Sequence, residues 1–325
     1  VGDLRRKSDA SRKIGGVVRR LGTGLVGVLL ATIVIFLLLR ALPGDVATTR
    51  LGTDATPQAL ADLRREYGFD RPLIAQYFDW LVDIVRGDLG RSLLSGASVR
   101  DDVVSRLDVT LPLIVASTVL SIVVAAAIGR RTALRRGRTR GVLIMTLTQL
   151  GLAIPTFVLA IALIFVFAVR FTLLPAGGFP VAGWRSFTEA LRSLILPILA
   201  LAAAQTAMLT RFARSSALDF VASDAFRTAR AVGRQRDDAL LTAQRMVLSP
   251  VLTVASLQVA TLITGAVVVE SVFALPGLGS MLVRDIANRD YTKVQSVLFV
   301  VVFMVFVLRL VVDVVNDRLD PRRAV

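Results

Sequence analysis

Three glutamines stand out in this sequence because each lies within a long apolar segment: Gln149, Gln205 and Gln258. An amide is costly in hydrocarbon unless it is hydrogen-bonded or faces a polar path. We therefore predict that these side chains, with Thr261, line a weakly binding path for a solute, and that Pro155 shapes a kink beside it. Hydrogen bonding between helices is the alternative, above all for threonine, which can also bond its own backbone.

A carboxylate, Glu270, closes the fifth apolar segment. A rigid turn follows it and contains Pro276, Gly277 and Gly279. One interpretation is that Glu270 and this turn shape an outer gate. The other is that Glu270 is an interfacial charge paired with Arg284 or Arg289. Such an isolated surface ion pair would say little about function.

The residue inventory argues against catalysis. The chain has no Cys and no His, which excludes thiolate nucleophiles, imidazole bases and metal or haem sites built from either residue. Lysine occurs only at positions 7, 13 and 293, and none follows glycine, so no P-loop exists. No basic block is interleaved with aromatics, as nucleic-acid binding would require. We expect no enzyme activity, no metal or cofactor on this chain and no nucleic-acid partner.

Composition identifies a membrane protein: 54% of the residues are hydrophobic, 19% are charged and the mean hydropathy is +0.68. Charges interrupt a span, and the uncharged stretches between them define six segments. We predict an all-α integral membrane protein whose six transmembrane helices lie at about 21–39, 109–129, 141–169, 193–210, 246–269 and 294–312. The third is too long for a straight span and contains Pro155, so it should be tilted, kinked or both.

Orientation follows from the basic residues. The entire formal net charge of +15 falls on the two tails and the loops around 130–140 and 211–245, while the opposite loops are neutral. The positive-inside rule makes the charged side cytoplasmic. We expect cytoplasmic tails at 1–20 and 313–325, a six-span membrane domain at 21–312 with an outer loop at 40–108, and a first segment retained as an anchor.

The outer loop contains apolar residues at roughly helical spacing. They are Leu60, Leu63, Tyr67, Leu73, Tyr77, Trp80 and Leu81. Such a face could lie on the outer leaflet or pack on the protein's own helices.

The inner loop at 211–245 contains the signals of a short helix. Ser223 is a capping residue, Asp224 an acidic first turn and Gly233 a stop. Phe226 and Ala229 share one face, which could coat the chain's own bundle or dock in a groove of a soluble partner. The first five spans carry no ionisable residue, so a transporter built from this chain would take its energy from another polypeptide.

Several motifs together resemble a known family. The stretch from Arg227 to Gly233, followed by Leu248-Ser249-Pro250, resembles the EAA loop of permease subunits in ATP-binding-cassette importers. The motifs LPGD at 42–45, YGFDRPL at 67–73, GDLGRS at 87–92, VESVFALPGLG at 269–279, NRDY at 288–291 and LDPR at 319–322 resemble the first permease subunit of dipeptide, oligopeptide and nickel importers. Arg227 replaces the glutamate that names the loop, and Val232 replaces a polar residue, so a salt bridge assigned to that glutamate does not carry over.

The resemblance implies a six-span permease working with four kinds of partner: a second homologous permease, two cytoplasmic ATP-binding subunits that hold ATP and Mg, an extracytoplasmic substrate-binding protein that delivers short peptides, and membrane lipid. It also implies a location in the cytoplasmic membrane of a bacterium, and it implies that the loop helix is an ATPase-coupling element. Its residues are Asp224, Ala225, Phe226, Arg227, Thr228, Ala229, Arg230 and Gly233. The same machine with a nickel chelate, glutathione or an iron or haem compound as cargo is one alternative, and a scaffold without a path is another.

Overall fold

A computed structural model describes residues 2–41, 56–66, 68, 70–134, 139–235, 238–239 and 244–319. Its regular elements are helices: α1 Gly2–Ala41, α2 Pro57–Glu66, α3 Leu73–Val85, α4 Val99–Leu134, α5 Thr139–Ala153, α6 Thr156–Leu163, α7 Phe187–Ala222, α8 Asp224–Ala231, α9 Gln244–Val272, α10 Leu278–Ala287 and α11 Tyr291–Leu319. A π-helical segment, Ile164–Arg170, continues α6, and a 3-10 turn, Gly183–Arg185, precedes α7.

Five of the described helices are long and apolar enough to cross a membrane: α1, α4, α7, α9 and α11. The all-α membrane architecture is therefore confirmed. The predicted third span is divided into α5 and the shorter apolar helix Thr156–Arg170. The division occurs at Pro155, which precedes α6 with φ −57° and ψ 140°, because proline lacks the amide proton that would continue α5 and its ring clashes with the preceding turn. The predicted kink is confirmed.

The helices are longer than the apolar segments. α4 begins at Val99, within the predicted outer loop, and α7 continues to Ala222, within the predicted inner loop. A charged residue marks where a helix leaves the hydrocarbon core, because burying the charge there is costly. Outside the core the charge is solvated, so the same helix can continue. The spans are therefore the central parts of longer helices.

The chain forms two compact units, residues 1–106 with 281–307 and residues 107–280 with 308–325. In the first unit, aromatic side chains join three helices. Phe36 of α1 lies edge-on to Tyr77 of α3 at a centroid distance of 5.5 Å, and Trp80 lies 6.4 Å from Phe299 of α11. Part of the predicted loop face thus packs on the protein's own helices, whereas Leu73 is half exposed. The side chains of Leu60 and Leu63, and Tyr67, lie outside the described residues.

The first unit also contains a charge cluster. Lys293 Nζ lies 2.5 Å from Asp102 Oδ2 and 3.8 Å from Asp285 Oδ2. Ser92 donates a hydrogen bond to the buried carboxylate of Asp290. Burial raises the pKa of Asp285, and Lys293 opposes that shift. This cluster connects the start of α4 to the segment between α10 and α11.

In the second unit, α4 packs on α7 through small side chains at four-residue intervals. The Ser117 hydroxyl donates to Leu113 O, and that of Ser121 donates to Ser117 O at 2.6 Å and to Ala202 O at 3.1 Å. Ala125 follows on the same face and is fully buried. Small side chains let two membrane helices approach closely. This contact fixes α7, which carries Gln205.

Candidate translocation and coupling sites

Three residues predicted to line a path lie around one cavity in the second unit. Gln205 comes from α7, and Gln258 and Thr261 come from α9. The cavity has a volume of about 210 Å³. Its lining residues are Thr156, Leu201, Ala204, Gln205, Met208, Gln258, Thr261, Leu262 and Gly265. Pro155 precedes the first of these and is itself exposed, while the side chain of Gln149 lies outside the described residues.

The two amides of this cavity have unused hydrogen-bonding capacity. Gln205 is only 5% exposed, and neither its Oε1 nor its Nε2 bonds to a described residue. The buried Oε1 of Gln258 likewise has no described partner. A buried polar group left unpaired costs about 1–3 kcal/mol. The helix-to-helix bond considered for the glutamines is therefore not formed by Gln205 among the described residues, and its amide can both donate to and accept from a solute.

The threonines of these helices behave differently. Thr148 donates to Ile144 O, and Thr210 donates to Thr206 O, both at 2.7 Å. Their hydroxyls are thus satisfied by their own helices, as membrane threonines commonly are.

Glu270 organises the turn after α9. Its side chain is fully buried. It accepts hydrogen bonds from Thr110 Oγ1 at 2.6 Å and from the backbone N–H of Ser280 at 3.0 Å. Thr110 Oγ1 also accepts from the backbone N–H of Leu278 at 2.8 Å. Two side chains from other elements thereby cap the first turn of α10. A solvent-exposed ion pair does not describe a side chain with no exposed area, and the role of Glu270 in an outer gate stays a prediction.

The glycines of this turn are required by the carboxylate. A Cβ at Gly277 would overlap the Glu270 carboxylate, and one at Gly279 would lie 2.9 Å from Oε2 and 2.6 Å from Val267 Cα. Thr110, which completes this arrangement, was missed by sequence reasoning. It lies 160 residues from Glu270, and no local pattern indicates their contact.

The loop helix forms where the sequence predicts it. Ser223 precedes α8, and its Oγ accepts a hydrogen bond from Phe226 N at 3.3 Å. The helix spans Asp224–Ala231, and Gly233 adopts φ +87°, a conformation that favours glycine. The predicted capping residue and stop are both confirmed.

The apolar face of α8, however, is covered by the chain itself. Phe226 is 6% exposed and lies 5.8 Å, edge-on, from Phe220. Its cluster includes Ala133, Ala217, Ala239 and Val247, and Ala229 packs against it. Of the two alternatives for this face, the structure shows the one in which Phe226 and Ala229 coat the chain's own bundle, because their apolar surface is already used inside this unit.

The remaining surface of α8 is polar and exposed. It consists of the polar residues Asp224, Arg227, Thr228 and Arg230, together with two alanines, Ala225 and Ala231. Arg227 Nη1 lies 3.1 Å from Asp224 Oδ1, so the residue at the glutamate position pairs with its own helix. Arg230 Nη1 donates to Arg234 O at 2.6 Å. This surface can offer charge and hydrogen bonds to a partner subunit.

Comparison with known proteins identifies the family. Residues 109–325 match the family described as binding-protein-dependent transport system inner membrane component, and residues 14–114 match its N-terminal component. The chain belongs to this family. A provisionally named peptide transport system permease of Brucella suis biovar 1 (strain 1330) is 36% identical over 94% of this chain and 98% of its own length. A glutathione transport system permease of Escherichia coli (strain K12) is 35% identical over 94% of this chain and 97% of its own.

A third relative, a peptide ABC transporter permease named provisionally in Sinorhizobium fredii (strain NBRC 101917 / NGR234), is 34% identical over 94% of this chain and 98% of its own. These matches cover both units. The protein is a permease subunit of an ATP-binding-cassette importer of the dipeptide and oligopeptide type, a multi-pass protein of the inner membrane that works with other transporter subunits. The resemblance found in the sequence motifs is confirmed.

Proposed function

We propose that this permease forms half of the translocation path for short peptides, with the cavity between Gln205 and Gln258 as a weak, backbone-directed contact point. The observation that carries the proposal is that both polar atoms of the buried Gln205 amide, and the buried Oε1 of Gln258, have no described partner. A peptide bond offers one donor and one acceptor, which a glutamine amide complements. Similarity to named peptide permeases supports the cargo class, and similarity to glutathione permeases, whose cargo is a modified tripeptide, supports the same chemistry.

Uptake by proteoliposomes containing the complete transporter tests this role. Gln258→Leu should slow neutral, acidic and basic peptides of equal length by a similar factor. One lost hydrogen bond is worth about 0.5–1.5 kcal/mol, so that factor should be several-fold. Gln258→Glu should instead discriminate by cargo charge, because a carboxylate repels anions and retains cations in a poorly hydrated path. The opposite result would be that Gln258→Leu changes the preference among these peptides and Gln258→Glu does not. It would contradict backbone-directed contact and indicate recognition of peptide side chains.

The proposed assembly pairs this chain with a second homologous permease, two cytoplasmic ATP-binding subunits and an extracytoplasmic binding protein. ATP and Mg would be held by the ATP-binding subunits, and this chain would not itself be an enzyme. The absence of a P-loop and of His and Cys from the sequence supports the assignment of ATP binding and hydrolysis to the other subunits.

The proposed topology has six spans with both termini in the cytoplasm. It treats α5, α6 and the π-helical segment as one interrupted span and follows the distribution of positive charge. The cysteine-free chain permits a direct test. Ala97→Cys, at an exposed position before α4, should react with an impermeant thiol reagent in intact cells, whereas Thr139→Cys should react only after permeabilisation. Labelling of Thr139→Cys in intact cells would contradict the proposed orientation.

The proposed coupling contact is the exposed polar surface of α8. Ala225 is exposed there, whereas Ala229 packs inside the unit. Ala225→Asp should therefore lower binding of the ATP-binding subunits while the melting temperature of the permease stays constant, because an unpaired charge in a desolvated interface is poorly tolerated. Ala229→Asp should lower the melting temperature as well. Wild-type assembly and ATPase activity of Ala225→Asp would exclude this surface from the contact.

A further inference from the structure

Helix α3 belongs to the predicted outer loop, yet its contacts lie at membrane depth. The hydroxyl of Tyr77 and that of Thr32 are 2.9 Å apart. Thr32 precedes Arg40, where the apolar segment of α1 ends, by eight residues, which corresponds to about 12 Å along a helix. The hydrocarbon core is about 30 Å thick. The contact therefore lies well inside the apolar part of α1.

Helix α11 gives the same depth independently. Trp80 lies 6.4 Å from Phe299, which follows Lys293 by six residues, or about 9 Å along a helix. Phe36 lies 6.3 Å from Trp80 and belongs to the last part of the α1 segment. The two hydroxyls at this depth are paired within the protein: Thr32 donates to Leu29 O at 2.7 Å and lies within hydrogen-bond distance of Tyr77, whereas the buried Trp80 Nε1 has no described partner. Such internal pairing is what hydrocarbon demands.

The surface of α3 has three faces. The first packs on α1 and α11 through Tyr77 and Trp80 and includes the buried Ile84. The second is an exposed apolar stripe, at helical spacing, consisting of Ile74, Phe78, Val82 and Val85, which are 73%, 57%, 45% and 81% exposed. The third is polar and exposed and carries Asp79 and Asp83. A helix with a packed face, an apolar face and an acidic face is suited to a boundary between protein, hydrocarbon and water.

We infer that α3 is embedded in the outer leaflet of the bilayer and that its apolar stripe contacts lipid acyl chains. The depth of its contacts with α1 and α11 carries the assignment, because a stripe at that level meets hydrocarbon unless protein covers it. Neighbouring side chains of α1 at this level, Leu37 and Leu38, are 52% and 59% exposed, as expected of a lipid-facing span. The assignment to the outer rather than the inner leaflet rests on the proposed topology, but the contact with lipid does not.

In this arrangement α3 anchors the first unit at a fixed level in the membrane. The acidic face, with Asp79 paired to Arg71, reaches the aqueous boundary. The Asp88 carboxylate then caps the turn that leads to α4 by accepting a hydrogen bond from Gly90 N at 2.8 Å. The segment between the first two long helices is thus a membrane-seated element rather than a loop in water.

Single spin labels in the complete, reconstituted transporter test the inference, since the chain has no native cysteine. Labels at Phe78→Cys and Val82→Cys should collide with oxygen several-fold more often than with a water-soluble nickel chelate. The matched control, Asp83→Cys on the polar face of the same helix, should show the opposite ratio. Peptide uptake by each labelled transporter, measured separately, establishes that it is assembled and keeps this test independent of the proposed translocation path.

Two results would overturn the inference. If positions 78 and 82 collide with the nickel chelate as readily as position 83 does, the helix lies in water above the bilayer. If both positions are shielded from oxygen and from the chelate alike, another protein subunit covers the stripe. Either outcome removes lipid as the occupant.

Discussion

Replacing Thr110 with valine should destabilise the protein much more than the same change two turns further along the same helix. The substitution preserves shape but removes the hydroxyl that donates to Glu270 at 2.6 Å and accepts from Leu278 N at 2.8 Å. A hydrogen bond to a charged group is worth about 1.5–3 kcal/mol, and the buried N–H left behind costs about 1–3 kcal/mol. Allowing for non-additivity, we expect a loss of about 3 kcal/mol.

Thr118→Val is the matched control. Its hydroxyl is also buried but donates only to Ile114 O of its own helix, at 2.8 Å. That carbonyl keeps its backbone partner, so the loss should be close to zero. The assay is the apparent melting temperature of the purified transporter in detergent, with an expected fall of about 5 °C or more for Thr110→Val. Equal melting temperatures for the two variants would refute the role of Thr110 and Glu270 in holding the turn.

Three other substitutions probe the two clusters away from the cavity. Phe226→Ala should lower stability by about 3 kcal/mol and expose α8 to protease, because the ring fills the chain's own core; protection equal to wild type would contradict that packing. Lys293→Met should cost about 3 kcal/mol, since it leaves the carboxylates beside it without their cation. Burial raises the pKa of Asp285, so the folded form retains a proton that the unfolded form loses, and stability should fall as pH rises from about 3.8 to that raised value. Asp285→Asn should remove this part of the pH dependence of the melting temperature, and an unchanged pH profile would exclude it.

Features encoded by neighbouring residues could be predicted from the sequence. The short helix α8 follows from a capping serine and a glycine ten residues later, and the break in the third apolar segment follows from Pro155. Each depends on backbone chemistry within one or two turns. Grouping of the amides was predictable in part, because Gln205 and Gln258 are polar residues in separate apolar segments that must each avoid lipid.

Features that depend on tertiary contacts could not be predicted. The spacing of Phe226 and Ala229 identifies an apolar face but cannot tell whether the chain or a partner covers it. Thr110 gives no signal of its own, because a threonine in a membrane helix ordinarily bonds its own backbone. The true start of α4 at Val99 was obscured because charges mark the edge of the bilayer rather than the end of a helix.

ATP-driven peptide uptake by a Gln205→Leu transporter, measured beside its melting temperature, tests the central claim most directly. Leucine removes the amide whose two polar atoms have no described partner, so stability should be unchanged or higher while uptake slows several-fold. Met208→Leu is the control, because it changes the same cavity without removing a polar group and should preserve both properties. Unchanged uptake by a stable Gln205→Leu transporter, or a parallel loss of uptake and stability, would contradict a translocation path through this cavity.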